Sequence, residues 1–181
     1  MTRIAIIDRA EMSAEQRRVY DAATAKHSPT GGPYYAYIRL PKLFEGAQVF
    51  RESLAGGPLS RREQVIVNLT VARYMNAQYP WFAQSRAALN AGFEQAVVEA
   101  VNARETPLLP VVRERTCYAV ARELAETKTL SDESYAAALR VMGENDLVAL
   151  VAGVGSFITT CLTANAFAVD PPPGNPTPLK P

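Results

Sequence analysis

The run from Leu147 to Val169 carries no charged residue. It is too long for an ordinary strand and is therefore read as a helix, from about Asn145 to Phe167. Its near flanks are acidic (Glu144, Asp146, Asp170), with no Lys or Arg anchor. It also holds Ser156, Thr159, Thr160, Thr163 and Asn165. These features favour a helix buried in a core or a subunit interface over a membrane span.

Every other periodic segment is also helical. Ser13 and Gln16 have capping-box spacing and open a helix to about Lys26. "KHSPTGGPYY" is a Pro- and Gly-rich loop. Pro41 suits the first turn of the next helix, which Gly56-Gly57 ends. Ser60 and Glu63 form a second capping box, ahead of Val65, Ile66, Leu69 and Ala72 at helical spacing. A break follows at Asn76–Tyr79. Pro80 is placed as the first residue of a helix that Gly92 closes. A short helix fits Glu94 to Val101, another starts near Pro110, and Ser131 caps a further one. No segment alternates at period two. The fold class is all-α, with about seven or eight helices. Residues 1–169 form one domain, and 170–181 a Pro-rich arm, extended or disordered.

Composition fits an ordinary globular protein, with 48% hydrophobic and 20% charged residues. A net charge of +1 gives no basic excess for nucleic acid or an anionic membrane. Cys117 and Cys161 fit no disulfide framework or zinc spacing, so a reducing, cytoplasmic setting is expected. Ile4 to Ile7 is too short for a signal-peptide core. No metal site and no cofactor are expected. Both cysteines lie on apolar helical stretches and read as packing residues.

His27, the single histidine, sits in a loop and is the reserve acid or base. The capping box accounts for Glu63. Tyr79, Trp81 and Gln84 combine apolar bodies with polar tips, which suits an apolar pocket with a few directed hydrogen bonds.

The stretch "LSRREQVIVNLTVARYMNAQYPWFAQSRAALNAGF" resembles the carboxymuconolactone decarboxylase family, which shares the alkylhydroperoxidase D fold. Ser60, Glu63, Asn68, Val71, Ala72, Tyr79, Trp81 and Gly92 fall in step with the family pattern. "EMSAEQRRVYDA" resembles its first helix, "GPYYAYIRLPKLFEGAQ" its lid and following helix, and the uncharged run its long closing helix. Redox members use a relay of one Glu, two Cys and one His. In this chain those positions are Val65, Ala77, Pro80 and Gln84.

The resemblance thus implies a divergent member without the relay. Thiol peroxidase activity is not expected. What remains is a pocket of Tyr79, Trp81, Gln84 and Asn68 with the lid tyrosines Tyr34, Tyr35 and Tyr37. One reading is a cofactor-independent enzyme of decarboxylase, lyase or isomerase type for a small lactone, keto acid or carbonyl compound. Gln84 and Tyr79 would then be catalytic, with His27 in reserve. The other reading is a non-catalytic ligand-binding or assembly member. The expected partner is a small molecule, without nucleic acid or membrane. The resemblance also implies a homo-oligomer, a dimer, trimer or hexamer.

Overall fold

Helix α4 (Arg61–Tyr74) organises the chain. Val65, Ile66, Val67, Leu69, Thr70, Val71 and Ala72 are all buried, so the helix is covered on nearly every side. The buried Thr70 hydroxyl donates to the Ile66 carbonyl at 2.7 Å and is thereby satisfied. Around α4 pack α5 (Gln78–Asn90), α6 (Gln95–Asn102), α7 (Val112–Thr127) and α9 (Glu144–Ala166). α8 (Asp132–Met142) closes against α7 and α9.

A smaller layer precedes this bundle. It contains α1 (Ala14–Ala25), the single turn α2 (Tyr34–Tyr37) and α3 (Pro41–Ala55). Met12, Val19, Ala23, Tyr34, Ile38 and Phe44 form its own apolar cluster. α3 carries this layer onto α9. The chain ahead of α1 ties back as well: the Arg3 N–H donates to the Phe167 carbonyl at 2.8 Å.

The structure, a computed structural model, describes residues 2–173 and 178–180. Those residues hold nine α-helices and one 3-10 turn, with no strand. The helix beyond the expected eight is α2, which forms inside the stretch read as a loop. Both capping boxes are present, at Ser13–Gln16 and Ser60–Glu63, and Ser131 caps α8. Pro41 is the first residue of α3, and Gly56 caps its end.

α9 is long and apolar enough to cross a membrane by length and composition. In the fold, one face of it is buried through Leu147, Leu150, Val154, Cys161 and Ala164. Val148, Val151 and Leu162 are exposed on other faces.

Residues 178–180, in the Pro-rich arm, are docked. Leu179 is buried in the main core cluster. Asn102, only 2% exposed, donates to the Pro178 carbonyl at 2.8 Å and accepts from the Lys180 N–H at 2.9 Å. Buried Arg73 donates to the Lys180 carbonyl at 3.0 Å.

Candidate functional site

Asn76 sets the turn into α5. It adopts φ 48°, a left-handed conformation that Asn tolerates. The Ala77 N–H then reaches the Ala72 carbonyl at 3.0 Å and caps α4. Ala77 is also the N-cap residue of α5, and the Trp81 N–H bonds its carbonyl at 2.8 Å. The helix begins at Gln78, so Pro80 stands third in it instead of first. First-turn N–H groups have no intrahelical acceptor, so proline loses nothing there. Gly92, at φ 80°, closes the helix as expected.

Val65 and Ala77 are fully buried, Pro80 is buried, and Gln84 is partly exposed. The four positions that the family resemblance marks for a relay therefore carry hydrocarbon, a pyrrolidine ring and one amide. None of these titrates.

Tyr79 lies against the loop at Gly31–Gly32. Gly32 has φ 63°, and a Cβ there would stand 2.9 Å from Tyr79 Cδ1 and Cζ. Only glycine allows both the conformation and the approach. Beside it, the Tyr35 and Tyr79 hydroxyls lie 3.3 and 3.4 Å from the Cβ position of Gly31. The Gly31–Gly32 turn thus has both phenols beside it. Burial pushes the Tyr79 phenol up, and neighbouring Tyr35 adds to this. Burial also pushes up Tyr34, which stacks edge-on with Tyr37 and Phe44. Tyr37 turns instead to α9, where its hydroxyl shares a hydrogen bond with Thr163 at 2.9 Å.

The remaining candidates are dispersed. Tyr79 and Gln84 are five residues apart on a helix of about 3.6 residues per turn, so they leave α5 roughly 140° apart. Trp81 is fully buried within the main core cluster. Asn68 and Gln84 are partly exposed and make no side-chain hydrogen bond among the described residues. His27 is exposed and takes φ 54° at the end of α1, where its N–H donates to the Thr24 carbonyl at 3.0 Å. That backbone role accounts for its place in the loop.

A cavity of about 290 Å³ lies under the N-terminal segment. Tyr34 and Tyr35 line it with Ile7, Met12, Tyr20 and Ile38. An open cleft of about 490 Å³ lies between α7 and the linker before it. Gln84, Trp81 and Tyr79 line neither of them.

Buried charges fix the frame of the site. Arg113 donates to Glu63 at 2.6 Å and to Asp146 at 2.9 Å, joining α4, α7 and α9. Arg62 donates to Glu114 at 2.6 and 3.1 Å. Burial alone would raise the Glu63 carboxyl, but Arg113 and Ser60 outweigh it and hold the group below its ordinary value. Cys117 is buried beneath this cluster, and burial followed by the Glu63 charge pushes its thiol up to about 12. Burial pushes the Cys161 thiol up as well.

No family model and no curated protein sequence matches the chain. Solved structures do. A peroxidase-related protein from Silicibacter sp. TM1040 superposes with TM-score 0.76 at 17% identity, over 99% of this chain and 96% of that one. A second, a peroxidase-related protein from Ralstonia eutropha JMP134 described as an alkylhydroperoxidase D core, gives TM-score 0.74 at 15% identity, over 95% and 93%.

The fold is that of the alkylhydroperoxidase D core.

In this fold the start of α5 carries Ala77 and Pro80, and α5 itself holds no cysteine. The fold also brings in residues that pattern reading missed. Gly32 matters through its contact with Tyr79, and Thr163 through Tyr37. The doublet Gly31-Gly32 ahead of three tyrosines was the available signal for the first. Nothing local marks Thr163 as a partner of the lid.

Proposed function

We propose that this chain is a cofactor-independent enzyme for a small lactone, keto acid or related carbonyl compound, of decarboxylase, lyase or isomerase type. The observation that carries the reading is the Tyr35–Tyr79 pair over Gly31–Gly32. A phenol O–H is a hydrogen-bond donor, and decarboxylation of a β-keto acid needs donors more than it needs a base. As the bond to the carboxylate breaks, its electron pair forms a carbon–carbon double bond. The carbonyl pair moves onto oxygen, where two O–H groups stabilise the developing charge. The carbon later takes a proton from water, and carbon dioxide leaves. The cavity beside Tyr34 and Tyr35 is of mixed lining, with Asp8, Arg9 and Thr30 among Ile7, Met12 and Ile38, and so offers both apolar and polar surface to such a substrate. Gln84 on α5 and Asn68 on α4, with free amides, are further neutral donors.

Thiol peroxidase chemistry is not part of the proposal. The buried thiols of Cys117 and Cys161 stay protonated, and a thiolate is the reactive form. The second reading, a non-catalytic ligand-binding member, is favoured by the lack of a titrating group at the four relay positions. Two further proposals are carried from the sequence. Exposed Val148, Val151 and Leu162 on α9 support a homo-oligomer, which light scattering tests. Two buried free thiols suit a reducing, cytoplasmic setting.

The deciding experiment follows carbon dioxide release from a panel of β-keto acids and lactones with wild type, Tyr79→Phe and Gln84→Ala. Turnover lowered about tenfold or more in Tyr79→Phe supports the enzyme. Stabilisation by the same compounds without turnover supports the binding reading. Equal turnover in all three proteins removes these residues from the site.

A further inference from the structure

The cleft between α7 and the preceding linker takes no part in the reaction proposed above. One wall is α7, with Arg115, Tyr118, Ala119 and Arg122 three and four residues apart and Glu123 and Glu126 beyond them. The other wall is Thr106, Pro107 and Leu109 from the linker. Side chains of α7 hold that second wall in place. Arg115 donates through Nη1 to the Leu109 and Pro110 carbonyls at 2.7 and 2.8 Å. The Tyr118 hydroxyl donates to the Glu105 carbonyl at 3.2 Å. The linker is therefore pinned on both sides of Pro107, and the cleft is formed before any ligand arrives. At about 490 Å³ it has room for a small molecule.

Charge decides which molecule fits. Arg122 pairs with Glu126 at 3.2 Å. Glu123 is committed to the start of α8, accepting from the Ser131 N–H at 2.7 Å. Arg115 has no ion pair among the described residues, and its Nε and Nη2 make no hydrogen bond there. Those two nitrogens form the side-on fork of a guanidinium, whose geometry matches the two oxygens of a carboxylate. Around the fork, Pro107, Leu109, Ala119 and the Tyr118 ring offer apolar surface.

We propose that this cleft is a second binding site, for a small carboxylate with an aromatic or apolar body. The carboxylate sits on the Nε–Nη2 edge of Arg115, and the body lies between the linker and α7. The site is separate from the lid tyrosines and does not depend on the reaction assigned to them.

Benzoate is the probe, titrated into the full chain by calorimetry and by amide NMR. The expected result is saturable binding with shifts at Thr106–Leu109 and Tyr118–Glu123. Benzamide, which lacks the charge, and inorganic phosphate, which lacks the apolar body, should each bind about tenfold or more weakly. Arg115→Gln should weaken benzoate by a similar factor. That change also frees the linker, so Ala119→Trp is the second variant: Ala119 is exposed, and the indole fills the cleft without disturbing the core. Loss of benzoate binding in Ala119→Trp, with an unchanged melting temperature, supports the site. Benzoate binding unaltered in that variant, equal binding of benzamide or phosphate, or shifts confined to Gly31–Tyr35 and Tyr79 would overturn it.

Discussion

Arg113 donates from Nε to the Glu63 carboxylate at 2.6 Å, while the same carboxylate accepts from the Ser60 N–H at 2.7 Å. One side chain therefore completes the cap of α4 and joins α4 to α7. Glu63→Ala removes both functions and leaves Arg113 with Asp146 alone. With Arg113 one-third exposed, the expected loss is about 2–3 kcal/mol, less than for a fully buried pair. Urea unfolding measures it. In a double-mutant cycle with Arg113→Met, the losses should be less than additive by about 1 kcal/mol. Strict additivity would show that the pair contributes nothing.

The same carboxylate gives a pH dependence. Its folded pKa lies below its ordinary 4.5, so the unfolded chain binds the proton more readily. The stabilisation is complete above that ordinary value and is lost as pH falls through the folded one. Unfolding midpoints between pH 6 and pH 3 should drop more steeply for wild type than for Glu63→Gln. Parallel curves would remove Glu63 from the acid response.

The two thiols predict the opposite flank. Burial holds the Cys117 pKa at about 12 against an ordinary 9.0, and raises Cys161 also. Unfolded thiols therefore ionise first, and stability should fall as pH rises above the ordinary value. A Cys117→Ala, Cys161→Ala double variant should lose part of that alkaline slope. In the native state at pH 8, a disulfide reagent such as Ellman's should label neither thiol, and in denaturant it should label both. Rapid labelling of the folded protein would contradict the burial.

Gly32→Ala adds a Cβ 2.9 Å from two Tyr79 ring carbons, at a backbone φ of 63°. The left-handed conformation alone costs about 1 kcal/mol, and displacing the ring adds to it. In a Tyr79→Ala background the same change should cost only the backbone part. An equal cost in both backgrounds would mean that ring and glycine do not meet.

The docked arm should behave as one unit. Ending the chain at Gly174 uncovers the Leu179 site and leaves both amide atoms of Asn102 without their partners. The melting temperature should fall by several degrees, for a loss of about 1–3 kcal/mol. Asn102→Ala should lose less in the shortened chain than in the full one. Independent losses would place Asn102 outside the docking contact.

The sequence by itself determined the helices and most of their ends. Capping boxes at Ser13 and Ser60, the cap at Ser131, Pro41 at a first turn and Gly92 at a last one act within about four residues, so their spacing is visible along the chain. It also determined that Val65, Ala77, Pro80 and Gln84 supply no thiol, carboxylate or imidazole, because that is a matter of residue identity. What only the tertiary structure decided is which side chains meet. Tyr79 and Gln84 are close in sequence, yet the helix turns them to different faces. Trp81, with the same amphipathic chemistry, is fully enclosed by the core. Tyr37 finds Thr163, and Arg113 finds Glu63 and Asp146, only because α2, α4 and α7 cross α9 where they do. The Pro-rich arm shows the same division. Proline chemistry excludes a helix there, while a buried Asn102 far away in the chain decides that the arm is docked.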